Sequence, residues 1–108
     1  MTQDGIGNIM TDAAISSLPT ERSLLIVEDE KSFLQRLARA LEDRGFTVTT
    51  AESVGDGLLQ VQKAAPAFAV VDMRLGDGNG LDVISAMKSA ARRRGPSFSP
   101  VTAISRRP

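Results

Sequence analysis

The run LLIVEDE at residues 24–30 is answered by FAVVDMRLGDGNGLDVI at residues 68–84, and the reading of these two segments decides the fold. The apolar stretches 24–27 and 68–71 are too short for buried helices and rich in β-branched residues, so each predicts a fully buried strand. Neither alternates polar with apolar, which favours a parallel sheet covered on both faces. Acids stand at the ends of both strands: Glu28 and Asp29 after the first, Asp72 after the second. Neighbouring parallel strands bring such carboxylates together at the carboxyl edge of the sheet, where open α/β folds place their ligands. Three converging acids call for a cation.

Working outward, strand and helix patterns alternate from residue 23: strand 24–28, helix 31–44, strand 46–50, helix 54–64, strand 68–72 and helix 80–91. This is a repeating β/α unit. Phe33, Leu37 and Leu41 form the apolar stripe of the first helix, widened by Leu34 and Ala38. Gly45 suits a left-handed stop, and residues 46–50 alternate as a strand near the sheet edge does. Ser53 is a candidate N-cap for the second helix, and Pro66 lies beyond its end. Residues 1–22 hold no period and read as a flexible leader. After Ala91 the sequence turns to Arg, Ser and Pro, with one strand candidate at 101–105.

Composition narrows the chemistry. With 108 residues, 42% of them hydrophobic, and a formal net charge of zero, the chain holds one modest domain and exerts no global pull on nucleic acid. The absence of Cys and His leaves oxygen as the ligand chemistry. No stretch is long enough to span a bilayer and no secretory signal is recognisable, so a cytoplasmic protein without membrane contact is expected.

A hard divalent cation such as Mg²⁺ takes oxygen ligands and is commonly held by one or two carboxylates plus phosphate oxygens. Glu28, Asp29 and Asp72 supply that set, and a carboxylate beside such an ion can act as the nucleophile toward a phosphoryl group. Asp72 is the chosen nucleophile, because it ends the central strand and precedes a Gly-rich loop. The plainer reading has each acid as a solvated strand end or a cap: Asp29 on the first helix, Asp77 or Asn79 on the third. The pairing of Glu28 and Asp29 with Asp72 across two apolar strands outweighs it. Asp77 and Asp82 read as structural or solvent-facing.

At these residues the sequence resembles the receiver domain of two-component response regulators. LLIVEDEKSFLQRLARALEDRGF (24–46) and APAFAVVDMRLGDGNGLDVI (65–84) are most similar to the RegA/PrrA/ActR group of redox-responsive transcriptional regulators. The resemblance implies a flavodoxin-like, doubly wound α/β sheet of order 2-1-3-4-5. It implies a phosphoacceptor rather than an enzyme, with Asp72 receiving a phosphoryl group from the phosphohistidine of a sensor histidine kinase. It further implies a Mg²⁺ cofactor held directly by Asp29, through water by Glu28, by Asp72, and by the backbone carbonyl of Arg74. Gly80 matches the glycine that opens the third helix.

The match departs from the family after residue 91. A receiver continues through a fourth strand ending in Ser or Thr and a fifth ending in Lys, yet no lysine follows Lys88. Ser105 is the candidate switch hydroxyl and Thr102 a weaker one. Residues 23–108 therefore read as a receiver incomplete at its C-terminus, with 92–108 a divergent tail that a shifted reading frame would also produce. The expected consequences are an exposed sheet edge that invites self-association, marginal stability, and no direct DNA binding. Two other functions compete. A truncated, non-functional remnant has the same motifs. A Mg²⁺-dependent phosphatase of the haloacid dehalogenase type also uses an Asp nucleophile, but places a second Asp where Arg74 stands. Five Arg between residues 92 and 107 suggest nucleic-acid contact, for which a solvated tail is the simpler account.

Overall fold

A computed structural model describes residues 21–105. The expected leader therefore lies outside the described residues except for Glu21 and Arg22, as do Arg106 and Arg107. In chain order the elements are β1 (Ser23–Val27), α1 (Lys31–Asp43), β2 (Thr47–Ala51), α2 (Val54–Lys63), β3 (Phe68–Asp72), the short β4 (Arg74–Leu75) and β5 (Gly78–Asn79), α3 (Leu81–Arg94) and β6 (Val101–Ser105). The principal sheet is parallel throughout, in the order β2-β1-β3-β6. These are the first four positions of the doubly wound order expected from the sequence.

The two-residue period of a strand explains why the apolar runs do not alternate. Leu24 and Ile26 of β1, with Phe68 and Val70 of β3, pack with Phe33, Leu34, Leu37 and Leu41 of α1. Leu25 and Val27, with Ala69 and Val71, pack instead with Val54, Val61, Val83 and Met87 of α2 and α3. Each central strand thus feeds two cores at once, and a side chain facing either way must be apolar. The edge strand β2 is relieved of this demand, and Thr47, Thr49 and Thr50 are exposed. Gly45 ends the α1 turn at φ +97°, a region a glycine enters without steric penalty.

The caps and the end of α3 differ from expectation. Glu30, not Asp29, caps α1: its Oε1 accepts from the Phe33 amide at 2.7 Å. Ser53 caps α2 as the sequence suggests, accepting from the Asp56 amide at 3.0 Å. Asn79 accepts from the Leu81 amide at the start of α3. That helix runs three residues beyond Ala91, since arginine is a good helix former and cations at a helix C-terminus meet its negative dipole end. Gly95, at φ +112°, then stops it ahead of Pro96.

Arg94 fastens this end of the molecule. Its guanidinium meets both carboxylate oxygens of Glu21 at 3.1 Å, donates to the Ala65 carbonyl, and stacks 3.8 Å from the Phe98 ring centroid. The Arg94 hydrogen bond holds the Glu21 carboxyl below its ordinary value despite partial desolvation. A carboxyl whose folded pKa is depressed contributes stability above its unfolded pKa and loses it as pH falls through the folded value. We therefore expect Glu21→Gln to lower the melting temperature near neutrality, with a gap to wild type that closes in acid and narrows in high salt. A gap independent of pH would refute the ion-pair contribution.

Candidate acidic site at the carboxyl edge

The ends of β1 and β3 bring Glu28, Asp29 and Asp72 together as the sequence predicts. One carboxylate oxygen from each lies within 4.8 Å of the others. Glu28 is 1% exposed and Asp72 6%, while Asp29 is exposed. The Glu28 amide extends the β1–β2 ladder by donating to the Ala51 carbonyl at 3.0 Å, and its Oε2 accepts from the Glu30 amide at 2.9 Å. The Arg74 amide donates to Asp72 Oδ1 at 3.1 Å. α1 begins at Lys31, soon after Glu28 and Asp29, so these two acids lie near the positive end of its dipole.

Three carboxylates this close repel one another, and burial of two of them strengthens the repulsion. The arrangement is electrostatically suited to a multivalent cation. An all-oxygen donor set fits Mg²⁺ or Ca²⁺ and excludes the softer metals that need nitrogen or sulfur. Of the sequence-predicted candidates, Arg74 leaves the cluster through its side chain, which is exposed; its backbone stays beside Asp72. Ser105 enters the neighbourhood: it pairs in register with Asp72 across β3 and β6 and is 7% exposed. Thr102 pairs with Ala69 at mid-strand and is exposed, so it sits away from the acids.

Two features of the loop after Asp72 escaped sequence reasoning. Residues 74–79 close into a hairpin, with Arg74 opposite Asn79 and Leu75 opposite Gly78. From this hairpin the Gly76 amide donates to Asp29 Oδ2 at 3.2 Å. Asp77, expected as solvent-facing or as a cap of the third helix, accepts from the Val54 and Gly55 amides at 2.8 and 3.1 Å and so caps α2. These bonds span 22 residues or more, beyond the reach of any local spacing rule. Gly80, whose place at the head of α3 the sequence does suggest, lies against the end of β3. A methyl group there would overlap the Asp72 carbonyl oxygen and stand 2.6 Å from Val71 Cγ1.

Other concavities lie away from the acids. One cleft of about 380 Å³, lined by Ser23, Gln60, Lys63, Pro66 and Arg94 among others, opens at the opposite end of the strands. No helix among the described residues is long and apolar enough to cross a membrane.

Comparison with known proteins places these observations. Residues 24–107 match the family model described as the response regulator receiver domain. The photosynthetic apparatus regulatory protein RegA of Rhodobacter capsulatus is 51% identical over 79 residues, covering 73% of this chain and 43% of that protein. The acid tolerance regulatory protein ActR of Sinorhizobium medicae is 56% identical over 68 residues, covering 63% of this chain and 35% of its own. The chain thus spans less than half the length of these relatives. Among solved structures, a response regulator from Burkholderia pseudomallei superposes with a TM-score of 0.64 at 26% identity, over 78% of this chain and 47% of that one. That crystal structure contains a phosphorylated aspartic acid and a calcium ion.

Proposed function

Because the chain belongs to the response regulator receiver family, we propose that it accepts a phosphoryl group on Asp72 from a sensor histidine kinase, with Mg²⁺ as cofactor. The observation that carries this reading is the buried Asp72 carboxylate at a strand end, joined by Glu28 and Asp29. In the transfer an Asp72 carboxylate oxygen attacks phosphorus in line with the phosphohistidine nitrogen. The new O–P bond forms as the N–P bond breaks, and the bonding pair leaves with the imidazole. The Arg74 amide on Oδ1 orients the carboxylate for attack.

Asp29 and Asp72 would hold Mg²⁺ directly, Glu28 through water, and the Arg74 carbonyl would complete the protein's share. The ion, when bound, offsets the repulsion between the carboxylate and the incoming phosphoryl oxygens. Ser105 would be the hydroxyl that bonds a phosphoryl oxygen, a role supported by its burial in register beside Asp72. The haloacid dehalogenase reading is not favoured, since the family matched is the receiver and Arg74 occupies the position where such a phosphatase places its acid. In the longer proteins it resembles, the consequence of phosphorylation would be regulation of transcription. Acetyl phosphate tests the proposal directly: Mg²⁺-dependent, chelator-sensitive labelling supports it, and a chain that takes no label with Mg²⁺ present refutes it.

A partner of a second kind is a further copy of the chain. Among the described residues the sheet ends on β6, where Val101 and Ile104 are 39% and 46% exposed. An open, β-branched edge is a template for another strand. Sedimentation velocity should show a concentration-dependent larger species that Ile104→Lys suppresses; a single monomer peak at all concentrations would refute self-association.

A further inference from the structure

The hairpin that follows Asp72 reaches in two directions from adjacent residues. Gly76 gives its amide to Asp29, one of the clustered acids, and Asp77 turns its carboxylate onto the first two amides of α2. A helix leaves its first amides without intrahelical partners, and a carboxylate placed there gains both the hydrogen bonds and the positive end of the dipole. The two amides hold the Asp77 carboxyl below its ordinary range, so near neutrality the cap is charged and both bonds are charge-assisted. The remaining attachments of the hairpin are modest. β4 and β5 are two residues each, and Leu75 is the hairpin residue that enters the core with α2 and α3.

We propose that Asp77 is a positioning residue: by clamping the hairpin to α2 it holds the Gly76 amide on Asp29, so that the affinity of the acidic site for Mg²⁺ depends on a helix cap outside it. The inference rests on the metal-binding reading above. Its physical basis is that groups bonded to metal ligands fix the ligand's orientation, and their loss costs about 10–100-fold in metal affinity. Without the clamp the six-residue span 74–79 keeps only the Leu75 packing against α2, and the Gly76 amide is less firmly held on one rotamer of an exposed aspartate. Linkage makes the effect reciprocal, since a metal that favours the ordered hairpin also favours the α2 cap.

The experiment is an amide NMR titration of the purified chain with MgCl₂, run on wild type and four variants. Asp29→Asn should weaken binding most. Asp77→Ala should weaken it on the order of tenfold. Asp77→Asn, which keeps one acceptor oxygen, should fall between Asp77→Ala and wild type. Ser53→Ala removes the other side-chain bond at the start of α2 without touching the hairpin, and should bind Mg²⁺ as wild type does. In wild type, saturating Mg²⁺ should slow hydrogen exchange at Val54 and Gly55. Wild-type affinity in Asp77→Ala overturns the proposal, as does a Ser53→Ala loss equal to that of Asp77→Ala, which would reduce the effect to helix stability. If Asp77→Ala does not fold, Asp77→Asn decides, and affinity equal to wild type overturns it. A wild-type chain that binds no Mg²⁺ overturns the metal reading and this inference together, whereas intact wild-type binding with an indifferent Asp77 overturns the inference alone.

Discussion

If Asp72 is the phosphoacceptor proposed above, Asp72→Asn should abolish labelling by acetyl phosphate, lowering the rate by a factor of roughly 10³ or more, to the detection floor. The substitution is nearly isosteric and leaves an oxygen to accept from the Arg74 amide, so the fold is retained. What disappears is the anionic nucleophile. An amide oxygen attacks phosphorus poorly, and one charge leaves the cluster that would hold Mg²⁺. The informative comparison is with Asp82→Asn, in the first turn of α3 and exposed, which should label at the wild-type rate. Mass spectrometry of the labelled peptide settles the position, and label persisting in the Asp72 variant would sink the assignment.

Among the described glycines, Gly80→Ala should be the most destabilising, by about 3 kcal/mol, because overpacking against backbone cannot be relieved by a rotamer change. For a domain of this size that corresponds to a fall in melting temperature of roughly 10–20 °C. The strain is steric: Gly80 has ordinary helical dihedrals at φ −59°, and the added carbon strikes the Asp72 carbonyl and Val71. Gly45 offers the opposite case. It has open space around its missing side chain but a φ of +97°, so Gly45→Ala meets conformational strain alone, about 1 kcal/mol. Relief of the Gly80 clash must move α3 away from the end of β3, and the same variant should therefore lose labelling at Asp72. A Gly80→Ala protein that melts and labels as wild type does would show that α3 and β3 are not held this closely.

The residues that could be read from sequence are those whose environment is set by periodicity. Apolar runs of four followed by acids placed Glu28, Asp29 and Asp72 at one edge, whereas Ser105 was a candidate only through the resemblance to receivers, and its register beside Asp72 comes from the fold. Illegible residues were those whose partners are chosen by tertiary approach. Three acids in succession stand before α1, and only the fold decides that Glu30 turns onto the helix while Glu28 is buried. Asp77 has the same composition cues as a cap for α3, yet the hairpin carries it to α2. Glu21 and Arg94 are 73 residues apart, and Arg94 reads in sequence as one of several tail arginines. In each case the side chain has several admissible partners, and the competition is settled by distances that no spacing encodes.

The division of each central strand between two cores carries a rule for how this sequence can drift. Leu24, Leu25, Ile26 and Val27 face opposite layers in turn, and Glu28 follows them as the next step in the same count. Exchanges among Leu, Ile and Val of similar volume cost less than about 1.5 kcal/mol and leave the count intact. Inserting or deleting one residue in β1 transposes its layers and carries the acid to the other side of the sheet. The chemistry of this edge is therefore indifferent to which aliphatic residues build the strands and intolerant of how many there are. Descendants of this sequence should vary in spelling along β1 and β3 while keeping the number of residues before each acid.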